Sequence, residues 1–316
     1  MQIMICQSFT ALSAAEDAPA ASFAQLRNGQ IQTDFRSVST WLTENPDAPD
    51  FIDAAIWYLQ TAYENGWYAD TSAIAKKIIA DQSGGPEAQK LAHRLSVLAQ
   101  AARQEETAFA DFQTQLRRVS IRDPNETLEF AFALCAQYQV NGDIDAAREV
   151  LQLTSESFFL NMQVRTLCDR RLAKLLLVGK TAPALSWKTV TGESASLTDL
   201  QGQTVLIDFW ATNCAPCLAD LPHLKQVYSR FHPRKFEIVG LSLDQSSKDV
   251  LAFRESRHLT WPLALVTDSP ADTREKFRVV TIPSTFLVDR EGKIVLVDGT
   301  ARDIALMLEK LAEPAE

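Results

Sequence analysis

The stretch Asp208-Phe-Trp-Ala-Thr-Asn-Cys-Ala-Pro-Cys217 decides the fold of the C-terminal part of this chain. It completes an apolar run over residues 205–210, which is typical of a strand buried on both faces of a sheet. The two cysteines follow at the position where the next helix is expected to begin. A Cys-x-x-Cys pair after a strand, in a pattern of alternating strands and helices, indicates a redox-active site.

The two cysteines are expected to have different roles. Cys214 falls at the helix start, where unpaired backbone N–H groups and the positive end of the helix dipole favour a thiolate. This position predicts a lowered pKa for Cys214, which makes it the nucleophile. Cys217 lies one turn deeper, and we expect it to resolve the mixed disulfide that Cys214 forms.

Asp208 is the acidic residue of the apolar strand. Burial of a carboxylate raises its pKa, so we predict that Asp208 accepts the proton of Cys217 when that cysteine attacks. The alternative is an aspartate at the sheet edge in contact with solvent, although its neighbours are large and apolar. Trp210 is expected to pack beneath the site and Pro216 to stiffen the first helical turn, and both are candidates for contact with a substrate.

The helix expected after Cys214 contains Pro222, which removes one internal hydrogen bond and should kink the helix. We expect its neighbours Asp220 and His223 to lie on the solvent-exposed side of this helix. No chemical role is therefore predicted for either side chain.

The remaining C-terminal sequence continues the alternation of strands and helices. Short extended runs on either side of a turn predict a small hairpin over residues 186–200. The elements expected after it are a buried strand over 236–244, a crossover helix over 247–258, an antiparallel hairpin over 281–297 and an amphipathic helix over 303–311. Strands joined through helices predict right-handed β-α-β units, and therefore a sheet whose first strands are parallel.

Residues 179–316 resemble the TlpA/ResA-like branch of exported thiol-disulfide oxidoreductases in the thioredoxin family. That branch reads F-W-A-T-W-C-x-P-C-x-x-E-x-P-x-L, and this chain has F-W-A-T-N-C-A-P-C-L-A-D-L-P-H-L over residues 209–224. Three positions depart from the pattern, since Asn213 replaces Trp, Ala215 replaces Gly or Glu, and Asp220 replaces Glu. The missing Trp bears on substrate docking, whereas both cysteines that carry the chemistry are retained.

The resemblance implies an α/β thioredoxin fold that exchanges dithiols for disulfides with protein substrates. It implies a reductant recharged by an upstream dithiol protein, with substrates such as apocytochrome c or misoxidised exported proteins. The redox group would be the Cys214–Cys217 disulfide itself, without a metal or an organic cofactor. The family also places a cis proline at Pro283, where it presents the backbone of Ile282 to an extended substrate chain. The alternative is an ordinary trans proline at the start of a strand.

Residues 31–178 have a helical pattern, with apolar residues three or four positions apart. The pattern is divided by turn signals at Asn45-Pro46, Gly84-Gly85-Pro86 and Asp123-Pro124. Residues 141–151 resemble the turn and second helix of a tetratricopeptide (TPR) hairpin, and a weaker echo covers residues 65–77. We predict an all-α, TPR-like domain of helical hairpins. It either presents a concave surface to a peptide or protein partner, or only positions or dimerises the redox domain.

The length and composition of the chain suggest two domains with a sizeable core, since 46% of the residues are hydrophobic. A net charge of -9 without a basic run argues against a nucleic-acid partner. Residues 1–30 are interpreted as a leader or linker. Their start resembles the later half of an export signal but has no basic residue before Arg27, so a truncated signal competes with a flexible tail. Periplasmic or other export is thus an inference by analogy.

Two further cysteines, Cys135 and Cys168, lie in apolar helical runs 33 positions apart. They are interpreted as separate buried thiols, and a structural disulfide between them is the alternative if the protein is exported. Neither has a metal-ligand spacing. The Cys214 and Cys217 pair lacks the second pair that a structural zinc site would need.

Two other functions compete with thiol-disulfide exchange. A peroxiredoxin would carry its reactive cysteine in a Pro-x-x-x-Thr-x-x-Cys setting, which is absent around Cys214. A helical adaptor would use its thioredoxin-like domain only as a binding platform, and it would have no need for both cysteines together with Asp208 and Pro283. The sequence therefore favours a protein-disulfide oxidoreductase.

Overall fold

A computed structural model of the protein describes residues 35–119 and 123–312. The leader or export signal predicted within residues 1–30 lies outside these ranges. The N-terminal half, here called the helical region, contains α1 Phe35–Glu44, α2 Phe51–Asn65, α3 Ser72–Ala80, α4 Gly85–Ala102, α5 Thr107–Val119, α6 Pro124–Asn141, α7 Ile144–Ser157 and α8 Met162–Leu175. None of the described helices is both long enough and apolar enough to cross a membrane.

Side-chain caps and left-handed residues set the ends of these helices. The carboxylate of Asp123 accepts a hydrogen bond from the Glu126 N–H at the start of α6, and that of Asp143 accepts one from Ala146 at the start of α7. Gly142 ends α6 with a φ of 90°, a conformation that costs glycine little. The turn signals read from the sequence are therefore helix boundaries.

Consecutive helices of this region pack side by side. Helix α6 packs against α7, α7 against α8, and α3 against α4. Short connections between neighbouring helices produce such pairs. The predicted helical hairpins are confirmed, whereas their assignment to the TPR type stays a prediction.

The C-terminal half, here called the redox region, alternates strands and helices. Its elements are β1 Ser186–Lys188, β2 Ser194–Ser196, β3 Thr204–Trp210, α9 Ala215–Phe231, β4 Phe236–Ser242, α10 Ser247–Arg257, β5 Leu263–Leu265, α11 Thr273–Lys276, β6 Ser284–Val288, β7 Ile294–Val297 and α12 Ala301–Ala312. Strands β1 and β2 form the predicted small hairpin.

The other five strands form one mixed sheet in the order β5-β4-β3-β6-β7. Strand β3 runs parallel to β4, with Asp208 opposite Gly240, and antiparallel to β6, with Asp208 opposite Thr285. The expected parallel start and antiparallel end of the sheet are confirmed. The edge strand β5 was not expected, because three residues are too few to show a strand periodicity.

The two faces of β3 pack against different parts of the protein. Val205, Ile207 and Phe209 belong to a buried cluster that also contains side chains of the helical region. Leu206 and Trp210 point to the opposite face and belong to a cluster with α9 and α12. Since side chains alternate along a strand, Asp208 faces the second cluster.

The helical and redox regions share the first of these clusters, so no separate core marks a boundary between them. Polar contacts reinforce the contact surface. The side chain of Gln139 on α6 accepts a hydrogen bond from the N–H of Val297 at 3.0 Å and donates one to its carbonyl at 3.3 Å. Gln139 thereby pairs the backbone N–H and carbonyl of Val297 on the edge strand β7, which would otherwise lack hydrogen-bond partners. The division into two domains at residues 178 and 179 stays a prediction.

Replacement of Gln139 by leucine tests this contact. The variant would leave both backbone groups of Val297 buried and unpaired, and each such group costs about 1–3 kcal/mol. We expect the free energy of unfolding, measured by urea denaturation, to fall by about 2–4 kcal/mol. Gln152→Leu on the exposed face of α7 is the matched control and should change stability by no more than about 0.5 kcal/mol. Equal effects of the two substitutions would contradict the assignment.

Candidate active site

The two cysteines of the Cys-x-x-Cys motif form a disulfide at the start of α9. The S–S distance is 2.06 Å and the two Cα atoms are 5.3 Å apart. Cys214 is the N-cap residue of α9, and its Sγ accepts a hydrogen bond from the N–H of Cys217 at 3.3 Å. Each cysteine is 9% exposed, so the pair meets solvent through a small opening.

This position gives the sulfur of Cys214 the surroundings that favour a thiolate. In the reduced protein the N–H groups of the first helical turn and the helix dipole would stabilise negative charge on Cys214. Cys217 lies inside the helix and lacks this contact with the helix terminus. The lowered pKa of Cys214 stays a prediction, since a disulfide-bonded cysteine does not titrate.

Hydrogen bonds fix the loop that leads from β3 to Cys214. Thr212 donates to the carboxylate of Asp244 through its backbone N–H at 2.9 Å and its hydroxyl at 2.8 Å. Burial opposes ionisation of Asp244, but the hydrogen bonds from Ser242 and Thr212 outweigh it and lower its pKa. Asp244 follows β4, so this carboxylate ties together two adjacent strand ends. Sequence reasoning ended a strand at Asp244 but assigned it no role.

Asp208 lies under the site on the sheet face that packs against α9 and α12. Trp210 lies on the same face of the sheet and belongs to the same cluster as Cys214 and Cys217. The carboxyl retains a small exposed surface, but protein atoms surround it closely. Burial, and secondly the charge of Asp220, raise the pKa of Asp208 to about 7. The raised pKa agrees with the expectation, whereas the side chain is only partly buried, and its role in proton transfer is taken up under the proposed function.

Asp220 corrects one sequence-based expectation. We expected it on the solvent-exposed side of α9, but it is half-buried, and its carboxylate accepts a hydrogen bond from the N–H of Ala301 at 3.2 Å. Burial raises its pKa. Asp220 follows Cys217 by three positions and therefore shares its helix face, which the start of α12 covers. This three-residue spacing is the sequence feature that could have predicted the burial of Asp220. His223 is exposed, as expected.

Trp210 lies in the core beneath the cysteines. It is 5% exposed, and its ring centroid is 5.2 Å from that of Phe253. The neighbouring strand must carry a glycine here, because a Cβ on Gly240 would lie 3.0 Å from the indole nitrogen and 2.5 Å from a methyl of Leu263. The expected packing of Trp210 beneath the site is confirmed, and its contact with a substrate stays a prediction.

The Ile282–Pro283 peptide bond is cis, which confirms the expectation from the resemblance. Ile282 is half-buried and Pro283 is exposed at the start of β6. Both residues line a cleft of about 1100 Å³ together with the exposed Pro216 from the first turn of α9. The structure thus brings Ile282, Pro283 and Pro216 together, and Trp210 is not among the described residues that line this cleft.

The opposite wall of the cleft comes from the helical region. It includes Trp67, Phe132, Arg170 and Lys174. Trp67 is 46% exposed, which is unusual for so large an apolar side chain. Sequence reasoning missed these residues, because no local pattern relates them to the cysteine motif, which begins 40 or more positions later in the chain.

The remaining described cysteines do not contribute to the site. Cys135 and Cys168 are free and buried, which agrees with their interpretation as separate thiols. Burial raises the pKa of Cys135 to about 11 and that of Cys168 to about 12, so both are protonated at neutral pH. Within residues 35–119 and 123–312, no group of three or more His, Cys, Asp and Glu side chains is arranged to hold a metal ion.

Comparison with known proteins gives consistent matches to one group of enzymes. Residues 178–297 match the AhpC/TSA family. The chain is 31% identical over 137 residues to the thiol-disulfide oxidoreductase ResA of Geobacillus thermodenitrificans. This matched stretch covers 42% of this chain and 78% of that protein. The ResA of Bacillus subtilis is 33% identical over 123 residues, covering 39% of this chain and 68% of that protein.

One solved structure is similar to the C-terminal part of the chain. The thioredoxin domain of a thiol-disulfide oxidoreductase from Bacteroides vulgatus is 33% identical, with a TM-score of 0.41, and the match covers 43% of this chain and 98% of that one. The matches to the two ResA proteins show that the chain belongs to the ResA-like thiol-disulfide oxidoreductases of the AhpC/TSA family, and it is a protein-disulfide oxidoreductase with a thioredoxin fold and an additional helical region.

Proposed function

We propose that Cys214 and Cys217 are the redox centre and that the protein acts as a reductant of disulfides in other proteins. The observation that carries this proposal is the Cys214–Cys217 disulfide at the N-terminus of α9, with Pro216 lining the same cleft as the cis Ile282–Pro283 bond. The pair needs no metal or organic cofactor, because the disulfide itself stores two electrons when it is reduced.

In the first step the thiolate of Cys214 attacks one sulfur of a substrate disulfide. A bond forms between Cys214 Sγ and that sulfur, the substrate S–S bond breaks, and the other substrate sulfur leaves as a thiolate. The N–H of Cys217, which lies 3.3 Å from Cys214 Sγ, supports negative charge on the attacking sulfur.

In the second step Cys217 loses its proton and attacks Cys214 Sγ. The mixed disulfide breaks, the second substrate sulfur leaves as a thiolate, and the Cys214–Cys217 disulfide remains. Asp208 accepts the proton of Cys217, since a carboxyl whose pKa is about 7 can exchange protons near neutral pH. Two electrons have then passed from the protein to its substrate.

The substrate is proposed to be an extended polypeptide segment. Such a segment can pair with the backbone of Ile282 as an added strand, which places its sulfur against Cys214. An upstream dithiol protein then reduces the Cys214–Cys217 disulfide for the next cycle. Export to the periplasm is proposed from the family resemblance.

The direction of electron flow is tested by the reduction potential of Cys214 and Cys217 in glutathione redox buffers. We expect a value near that of thioredoxin, about -270 mV, which suits a reductant. Cys217→Ser is the control and should show no two-electron couple. A potential near about -120 mV would mean an oxidant and would contradict the proposed direction.

The proton-acceptor role of Asp208 is tested by Asp208→Asn in stopped-flow reactions of reduced protein with Ellman's reagent. The first coloured thiolate reports attack by Cys214, and the second reports attack by Cys217. We expect the second step to slow by roughly 100-fold and to lose its dependence on pH near about 7, while the first step is retained. Glu255→Gln on the exposed side of α10 is the control. An unchanged second step would exclude the role.

Asp208 should also make stability depend on pH. The folded protein keeps Asp208 protonated up to about pH 7, whereas the unfolded chain ionises it near 3.8. Its contribution to stability is therefore complete below 3.8 and is lost as the pH rises through about 7.

In Asp208→Asn this loss is absent. Relative to the wild type, the oxidised variant should gain at least about 1.4 kcal/mol in unfolding free energy between about pH 5 and about pH 8, the equivalent of one pKa unit. Denaturant titrations at the two pH values measure the difference. An equal pH dependence in both proteins would show that the pKa of Asp208 is not raised.

A further inference from the structure

Lys174, near the end of α8, is a buried charged residue at the contact between the helical and redox regions. Its side chain is 4% exposed. Its ammonium donates to Ser284 Oγ at 2.7 Å and to both carboxylate oxygens of Asp298 at 2.7 and 2.8 Å. All three hydrogen-bond donors of the lysine therefore have acceptors in the redox region.

The two acceptors lie next to segments of the redox region that line the cleft, since Ser284 begins β6 directly after Pro283 and Asp298 follows β7. Ser284 follows the cis proline directly, and its hydroxyl donates to the carbonyl of Thr281 at 2.7 Å, which closes the loop over residues 281–284. Asp298 follows β7, and its N–H donates to the carbonyl of Thr285 at 2.8 Å. One ammonium thus connects α8 to the loop that bears Ile282 and Pro283.

Burial of the charged ammonium of Lys174 costs desolvation free energy. Burial lowers its pKa, although the carboxylate of Asp298 opposes this effect. Well-packed apolar side chains commonly stabilise such a contact as much as a buried ion pair does. An ammonium with three directed hydrogen bonds differs from an apolar contact because it fixes the positions of its acceptors.

The backbone of Asp298 is held from the same helix. Arg171, one turn before Lys174, donates a hydrogen bond to the carbonyl of Asp298. Asp298 has a φ of 50°, in the left-handed region that non-glycine residues rarely adopt. Two side chains of α8 therefore hold Asp298: Arg171 binds its backbone carbonyl and Lys174 binds its carboxylate.

The helical region also faces Pro216 of the cysteine motif across the cleft. Phe132 on α6 and the exposed Trp67 contribute apolar surface, and they share the cleft with Pro216 and Ile282. A polypeptide that pairs with Ile282 would lie between these two walls. The cleft is therefore built by both regions, and its redox side is held by Lys174.

We propose that the helical region completes the substrate groove and that Lys174 is a positioning residue for the loop over residues 281–284. The groove takes an extended polypeptide segment that carries the disulfide. Lys174 does not touch the reacting sulfurs. It keeps the backbone of Ile282 in the place where the segment pairs with it. This inference rests on the proposed function of Cys214 and Cys217.

A second lysine at the same contact provides a matched control. Lys310 on α12 donates to the carbonyls of Val140 and Asn141 at 2.8 and 3.0 Å. It joins the helical and redox regions as Lys174 does, but it has no contact with the loop over residues 281–284 among its described hydrogen bonds. A general effect of weakening the contact between the regions should therefore appear in both lysine variants.

The test uses the full-length protein and two probes. One probe is a synthetic unstructured peptide with a single intramolecular disulfide, and the other is Ellman's reagent, which is too small to need the groove. The peptide is assayed at steady state with dithiothreitol as the reductant that regenerates the dithiol, its uncatalysed reaction being subtracted, and Ellman's reagent is assayed in a single turnover of the reduced protein. For Lys174→Met we expect KM for the peptide to rise about tenfold, with kcat and the first-step rate with Ellman's reagent within about twofold of wild type. Lys310→Met should leave KM for the peptide within about twofold.

Ser284→Ala keeps the ion pair and removes the hydroxyl that accepts from Lys174 and donates to the carbonyl of Thr281, so it tests whether these contacts position the loop. It should raise KM for the peptide in the same direction, so it carries the test if Lys174→Met fails to fold. An unchanged KM in a folded Lys174→Met protein, or in Ser284→Ala, would overturn the positioning role. An equal rise in KM in Lys310→Met would also overturn it. A wild-type protein that reduced neither probe would instead overturn the proposed function.

Discussion

Burial of β3 on both faces is the constraint on which the rest of the structure depends. One face, through Ile207 and Phe209, packs into the cluster shared with the helical region, and the other packs against α9 and α12. The strand therefore fixes where α9 begins and where Asp208 lies. Because Cys214 caps α9 four residues after the end of this strand, the geometry of the proposed redox centre follows from the packing of the core.

Polar contacts between the helical and redox regions are more specific than the apolar contact alone. Gln139 satisfies the edge strand β7, and Lys174 holds the loops at Ser284 and Asp298. Each of these side chains is buried with its partners present, and an unpaired partner would be costly. The two regions thus meet in one defined arrangement, which places a wall of helices opposite the cleft that holds the cis proline.

Most of the redox region could be predicted from its sequence. The apolar run before Cys214, the alternation of strands and helices and the motif at Pro283 gave the sheet, the disulfide position and the cis bond. The prediction was wrong for Asp220, which local reasoning placed in solvent. Its burial results from α12, an element 81 positions later in the chain whose docking no local pattern reveals.

The sequence by itself determined the local chemistry: two cysteines at a helix start, an acid in an apolar strand and a proline at a strand start. These features depend on periodicity and on neighbouring residues, which act over a few positions. Only the tertiary structure decided that Asp220 lies close enough for its charge to raise the pKa of Asp208, and that Lys174 reaches the loop 110 positions away. Such contacts depend on how packed elements are oriented in space, and no spacing along the chain encodes that orientation.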